Sequence, residues 1–113
     1  MPKRQFEEFF CFVKIFLRLY RMARGVLVGI STLILLLAVL FAYWEDIEVF
    51  NSVYFALITA MTIGYGDIVP HTDLGKVIST LIGFLGLQFF GIMIAISTLS
   101  MKKTVKIYLG EDL

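Results

Sequence analysis

The chain holds one cysteine, Cys11, among its 113 residues, so no disulfide can close within it. A lone thiol ahead of the first apolar run reads as an inert residue of a reducing compartment. Lysine and arginine are absent from the stretch between Glu45 and Asp73, although the chain carries ten of them. Two long uncharged runs, residues 26–43 and 77–101, lack a polar face at helical spacing. That absence excludes the half-exposed helices of a soluble bundle.

What is present is apolar: 59% of the residues are hydrophobic, and the mean hydropathy is +0.89. These values point to lipid as the solvent. A helix needs about 20 apolar residues to cross a bilayer core. The runs of eighteen and twenty-five residues meet that need, the second with some tilt. The first run is too long and starts too late for a cleavable signal peptide, and no small-residue cleavage pattern follows it. Both segments are therefore expected to remain in the chain.

The net charge of +1 hides an asymmetry. Lys3, Arg4, Lys14, Arg18, Arg21 and Arg24 precede the first run, and Lys102, Lys103 and Lys106 follow the second, while Glu45, Asp46, Glu48, Asp67 and Asp73 lie between. The positive-inside rule then predicts a multi-pass protein of the cell membrane with both termini cytoplasmic. The acidic stretch between the runs should lie outside and attract cations.

Within residues 1–25, Phe6, Phe9, Phe10, Val13, Leu17 and Tyr20 recur at helical spacing, with Lys14, Arg18 and Arg21 on another face. This predicts a cytoplasmic amphipathic helix lying in the membrane interface, basic side to the headgroups. The three-residue spacing of Arg18, Arg21 and Arg24 would suit a voltage sensor, but a sensor needs further membrane helices to shield its charges.

The first span, predicted over residues 26–44, closes on Tyr43 and Trp44, whose amphipathic rings favour the headgroup level. Asn51 or Ser52 could cap a third apolar stretch, residues 52–62. Its length is roughly 16 Å at the standard rise, about half a bilayer core, so it can dip in but not cross. The return must then be non-helical backbone at membrane depth, tolerated only inside protein or beside water. The residues that make this return read Thr62-Ile63-Gly64-Tyr65-Gly66-Asp67. If successive residues alternate between left- and right-handed backbone regions, their carbonyls all turn to one side. Glycine makes the left-handed positions cheap, and Gly64 and Gly66 have the spacing to supply them. Carbonyls so aligned can replace the water shell of a cation when four copies surround an axis. The Gly-x-Gly spacing would also suit a nucleotide, but no strand precedes it and no GK or GxxG element follows.

Here the sequence resembles the potassium channel family. Residues 59–67, "TAMTIGYGD", are similar to the family's filter signature, and the order of span, short pore helix, filter and second span is the family's order across residues 26–101. The resemblance implies an all-α membrane protein of two transmembrane helices with a re-entrant pore helix (52–62), a selectivity filter (62–67) and an inner helix (74–101). It implies a homotetramer in which Thr62, Ile63, Gly64 and Tyr65 offer potassium their carbonyls, with the Thr62 hydroxyl and Gly66 completing the filter. The pore helix would aim the negative end of its dipole at a central cavity.

Some positions depart from the commonest family pattern. Met61 replaces a threonine and Ile63 a valine, Ile58 stands where some members carry a bracing glutamate, and Tyr54 and Phe55 replace a pair rich in tryptophan. Bracing is then expected from Asp67 with Tyr54, thirteen residues before it. Gly86 matches the family's gating hinge, whereas Gly83 and Gly91 fit a bend or plain close packing equally. Gln88 is the one strongly polar side chain of the second span, and His71 reads as a solvated loop residue without a partner. Residues 102–113 form a short cytoplasmic tail, too short for a folded sensing domain. Either gating is through the membrane core or a regulatory domain lies outside this chain.

The expected function is passive, potassium-selective conduction. No enzyme activity, no cofactor beyond the permeant potassium ion and no nucleic-acid partner are expected, and membrane lipids are expected neighbours. The alternatives are a poorly selective cation channel or a non-conducting accessory membrane protein.

Overall fold

A computed structural model describes residues 2–110, so Met1 and the end of the predicted tail, residues 111–113, lie outside the described residues. Three helices follow one another: α1 (Pro2–Glu45), α2 (Val49–Ala60) and α3 (Asp73–Leu109). No strand occurs among the described residues. α1 and α3 are each long and apolar enough to cross a membrane, and α2 is not.

The predicted interfacial helix is not a separate element. α1 runs unbroken for 44 residues, roughly 66 Å at the standard rise. Tyr20 to Ile30 contain no proline and no Ser, Thr, Asn or Asp that could cap a new start. Gly25 weakens the helix locally by about 1 kcal/mol but removes no hydrogen bond. The second span also runs further than predicted, because residues 102–109 contain no breaker. It stops at Gly110, which adopts a φ of +68° and donates its N–H to the Lys106 carbonyl at 3.0 Å. A left-handed glycine is the usual end of such a helix.

The chain divides into two compact units, Val26–Phe90 and the pair of segments Met1–Gly25 and Gly91–Leu113. In the two-segment unit, Ile96, Ser100 and Thr104 are buried at a spacing of four on α3. The Ser100 hydroxyl donates to the Ile96 carbonyl (2.7 Å) and the Thr104 hydroxyl to the Ser100 carbonyl (2.8 Å). Burial without water is tolerable for these groups because each is satisfied inside its own helix.

In the Val26–Phe90 unit, Leu27, Ile30, Ile34, Ala38 and Phe41 form a buried stripe on α1 at steps of three and four. Phe55, Ala56, Ile58 and Ala60 of α2 and Ile78 and Ile82 of α3 complete the core. The Phe41 and Phe55 rings stack at 4.3 Å between centroids. Ser52 does not cap α2 as predicted. The helix begins a turn earlier, with Glu48 at its N-cap and no side-chain cap bond. Ser52 is fully buried, and its hydroxyl donates to the Ala38 carbonyl. The small side chain at Ala38 lets the two helices come that close, and the bond adds direction to an otherwise apolar contact.

A second tie joins the end of α1 to the start of α3. Glu45, the last residue of α1, accepts the backbone N–H of His71 through Oε1 and that of Thr72 through Oε2 at 3.0 Å. Thr72 caps α3 itself, its Oγ1 accepting the Gly75 N–H at 2.9 Å. A Cβ at Gly75 would stand 2.9 Å from the Glu45 carboxylate and from Thr72 Oγ1, so only glycine admits the acid to the helix start. His71 stays exposed in its loop, with its backbone N–H held by Glu45.

The Thr72 hydroxyl, then the His71 and Thr72 amides and the His71 charge, hold the Glu45 carboxyl below its ordinary range against a partial opposing effect of burial. A depressed carboxylate contributes stability that is present above the unfolded value and is lost as pH falls through the folded one. An exposed carboxylate at a helix N-terminus contributes about 0.3–1 kcal/mol. Trp44, the only tryptophan, is the neighbouring residue and reports the junction. Its fluorescence should change on acidification below about pH 4 in the parent and stay flat over that range in Glu45→Gln. A parent-like transition in the variant would assign the titration to another group.

Candidate functional site

α2 is only 12 residues long, and the residues that follow it carry the unusual backbone. Thr62, Gly64 and Gly66 have φ of +61°, +60° and +83°, while Ile63 and Tyr65 between them stay out of the left-handed region. Left-handed positions therefore alternate through five consecutive residues. Gly64 and Gly66 adopt them without steric penalty. Thr62 does not, since a left-handed β-branched residue costs roughly 1–2 kcal/mol.

The turn out of α2 holds Thr62 in place. The Thr62 N–H donates to the Thr59 carbonyl at 3.1 Å, and the Ile63 N–H donates to the Ile58 carbonyl at 2.9 Å, with the Gly64 N–H sharing that acceptor at 3.3 Å. These bonds make a Schellman cap with Thr62 at the left-handed position, where glycine is usual. Glycine would fit the backbone better but has no hydroxyl. The Thr62 hydroxyl donates to the Met61 carbonyl at 2.6 Å, which orients its oxygen and leaves lone pairs for an acceptor role. Ile58 has no carboxylate to brace the segment, and its carbonyl supplies two backbone bonds instead.

The Tyr54 hydroxyl and the Asp67 carboxylate lie near enough to interact. Ile63 and Tyr65 are exposed in the single chain, Tyr65 to 68%. Gln88 is exposed on α3.

Gly86 is buried, and a Cβ there would lie 2.4 Å from both the Cα and the carbonyl oxygen of Ala60. It is therefore the point at which α3 touches the end of α2, two residues before Thr62. Gly83 and Gly91 meet nothing within 4 Å, and α3 is helical through all three glycines. Sequence reasoning missed the Thr62 conformation, the Glu45 tie and the Ala60 contact. Only the second had a local signal, Thr72 followed by an acid at a helix start.

The chain is similar to a voltage-gated potassium channel of Aeropyrum pernix, 40% identical over 47 residues, which is 42% of this chain and 16% of that protein. It is similar to a calcium-gated potassium channel of Thermoplasma volcanium, 38% identical over 53 residues, 47% of this chain and 15% of that one. A probable potassium channel protein of Methanocaldococcus jannaschii is 44% identical over 48 residues, 42% of this chain and 14% of that one. The matched stretch thus spans about a sixth or less of each of these relatives. No solved structure matches. Two long apolar helices with a short helix and a left-handed turn between them are the parts a membrane pore requires, and residues 26–103 match the family model described as an ion channel; the chain belongs to that family.

Proposed function

We propose that four copies of this chain surround a pore selective for potassium, with residues 62–67 as its filter. The observation that carries this reading is the alternation of left-handed φ at Thr62, Gly64 and Gly66. Backbone of that kind turns successive carbonyls to one side, so Thr62, Ile63, Gly64 and Tyr65 can present a column of oxygens. The Thr62 hydroxyl extends the column inward. One chain offers a cation one oxygen per layer, and four around an axis replace its hydration shell. The exposure of Ile63 and Tyr65 supports assembly, since a segment at membrane depth must be covered by protein or face water. The names of the relatives support potassium as the permeant ion.

In this reading the carboxyl end of α2 points its partial negative charge toward the cavity below the filter. The acids of the outer segment raise cation concentration at the other mouth. Both termini are cytoplasmic by the positive-inside rule. The test is purified protein in liposomes, loaded with potassium and assayed for rubidium uptake, then with sodium in place of potassium. Uptake driven by the potassium gradient alone is expected. Equal uptake in both gradients would favour a poorly selective cation channel, and none would favour an accessory protein.

Tyr54 braces the filter through Asp67. Tyr54→Phe keeps the ring and deletes the donor. Initial rubidium uptake should match the parent, whereas uptake after preincubation in potassium-free buffer should decay several-fold faster as the filter loses its occupying ions. A Phe variant as steady as the parent would leave Tyr54 a packing residue.

A further inference from the structure

Gln88 lies within the second uncharged run, is exposed on α3, and its amide makes no hydrogen bond among the described residues. The hydroxyls of Thr32 and Thr80 in the same unit turn back to carbonyls of their own helices, those of Val28 and Lys76, at 2.8 and 2.9 Å. A glutamine has two donors and an acceptor to satisfy. Hydrocarbon offers none of these bonds, so protein or water must cover the amide.

The face that carries Gln88 decides between the two. Leu74, Val77, Leu81 and Phe84 precede it at steps of three and four, all exposed, Phe84 to 63%. They lie across α3 from Ile78, Ile82 and Gly86, which are buried. Water does not suit such a face, and lipid does not suit its amide. A protein surface suits both, because an apolar seam with one polar position is a device by which a helix fixes its register against a neighbour.

A complementary surface exists on the same chain. Ser31, Ile34 and Leu35 of α1, Leu57 and Met61 at the end of α2, and Phe90 of α3 line a hollow of about 290 Å³. The side chains of its wall are apolar except for the Ser31 hydroxyl, which also makes no hydrogen bond among the described residues. Gln88 is not part of that wall.

We infer that the Gln88 seam of one copy seats in this hollow of the next, with Phe84 filling its apolar part and the Gln88 amide bonded to the Ser31 hydroxyl. The two surfaces differ, so the contact is heterologous, and repeating it about an axis closes a ring. The inference rests on the assembly in the proposed function and is independent of which ion passes.

With Cys11→Ser the full chain carries no thiol. Ser31→Cys with Gln88→Cys in that background is oxidised in liposomes and separated without reductant. A ladder of two, three and four chains is expected, with nothing larger, and either cysteine alone should leave single chains. Dimers from Gln88→Cys alone would show the seam meeting its own copy and overturn the pairing. A ladder that stops at two would overturn the ring. Absence of cross-links in a protein that native mass spectrometry counts as four copies overturns this contact and leaves the assembly standing, whereas a parent that is a single chain overturns both. A second measurement does not depend on the cysteines. Gln88→Leu and Ser31→Ala should each lower the fraction of four-copy protein surviving heat at least about threefold, the equilibrium factor of one interhelical hydrogen bond. The double variant should lose no more than either alone, and additive losses would overturn the bond. Rubidium uptake is recorded separately, so a cross-linked ring that does not conduct would refute the channel reading and leave this one standing.

Discussion

Gly64→Ala is expected to abolish potassium-dependent rubidium uptake while the helix content stays that of the parent. The added methyl meets nothing within 4 Å in the chain, so crowding within the chain is not the reason. The reason is the backbone: Gly64 holds a φ of +60°, and an L-residue there costs roughly 1–2 kcal/mol. Repeated in the four chains of the proposed assembly, the penalty would reach about 4–8 kcal/mol, comparable with the whole stability of a small domain. Turning the peptide over would relieve it, and that would take a carbonyl out of the proposed column. Gly25→Ala is the matched control. Its methyl also meets open space, but the position is helical, so the change should be neutral or stabilising by about 1 kcal/mol. Parent-like uptake by Gly64→Ala would remove the filter assignment from residues 62–67.

How much of this was legible beforehand depended on how local the determinant was. The two spans were visible because lipid tolerates no charge, and residues 26–43 and 77–101 have none. The short helix before Thr62 was visible because its length cannot cross a bilayer, and Gly64 and Gly66 were visible because glycine is the residue that left-handed backbone favours. The breaks predicted at residues 25 and 101 failed for the opposite reason: a change of composition alters the environment of a helix without interrupting its hydrogen bonds. Thr62 was read as a ligand but not as a left-handed residue, since its conformation is set by the cap on α2 and opposes its own preference. Ser52 has the signature of an N-cap and is used instead for a contact fourteen residues away in sequence. Glu45 reads as one acid among five, and its tie to the start of α3 depends on Gly75, thirty residues later, leaving room for it.

Gly86→Ala shows the same difference between local and distant determinants, and its expected effect is large. Taken alone, a glycine in the middle of an apolar helix suggests a bend, and alanine would stiffen it, lowering the open probability without touching selectivity. The structure adds a contact that changes the expected result. The new methyl would lie 2.4 Å from Ala60 Cα and from its carbonyl oxygen, and backbone held in a helix cannot swing aside as a flexible side chain can. α3 and α2 must therefore separate by roughly 1 Å to reach ordinary contact, an overpacking that costs about 1–3 kcal/mol in each chain. Ala60 is two residues ahead of Thr62, and the Schellman cap that sets Thr62 is built on Ile58 and Thr59, so the displacement passes into the proposed filter. Gly86→Ala should lower the thermal stability of the assembled protein and weaken discrimination of rubidium over sodium together. Gly83→Ala and Gly91→Ala, whose methyls enter open space, should keep both properties. Stability is read by size-exclusion after heating, and discrimination by uptake under potassium and sodium gradients. A Gly86→Ala protein with parent stability and selectivity that merely opens rarely, and a Gly91→Ala protein that behaves like it, would show that bending of α3 outweighs its contact with α2.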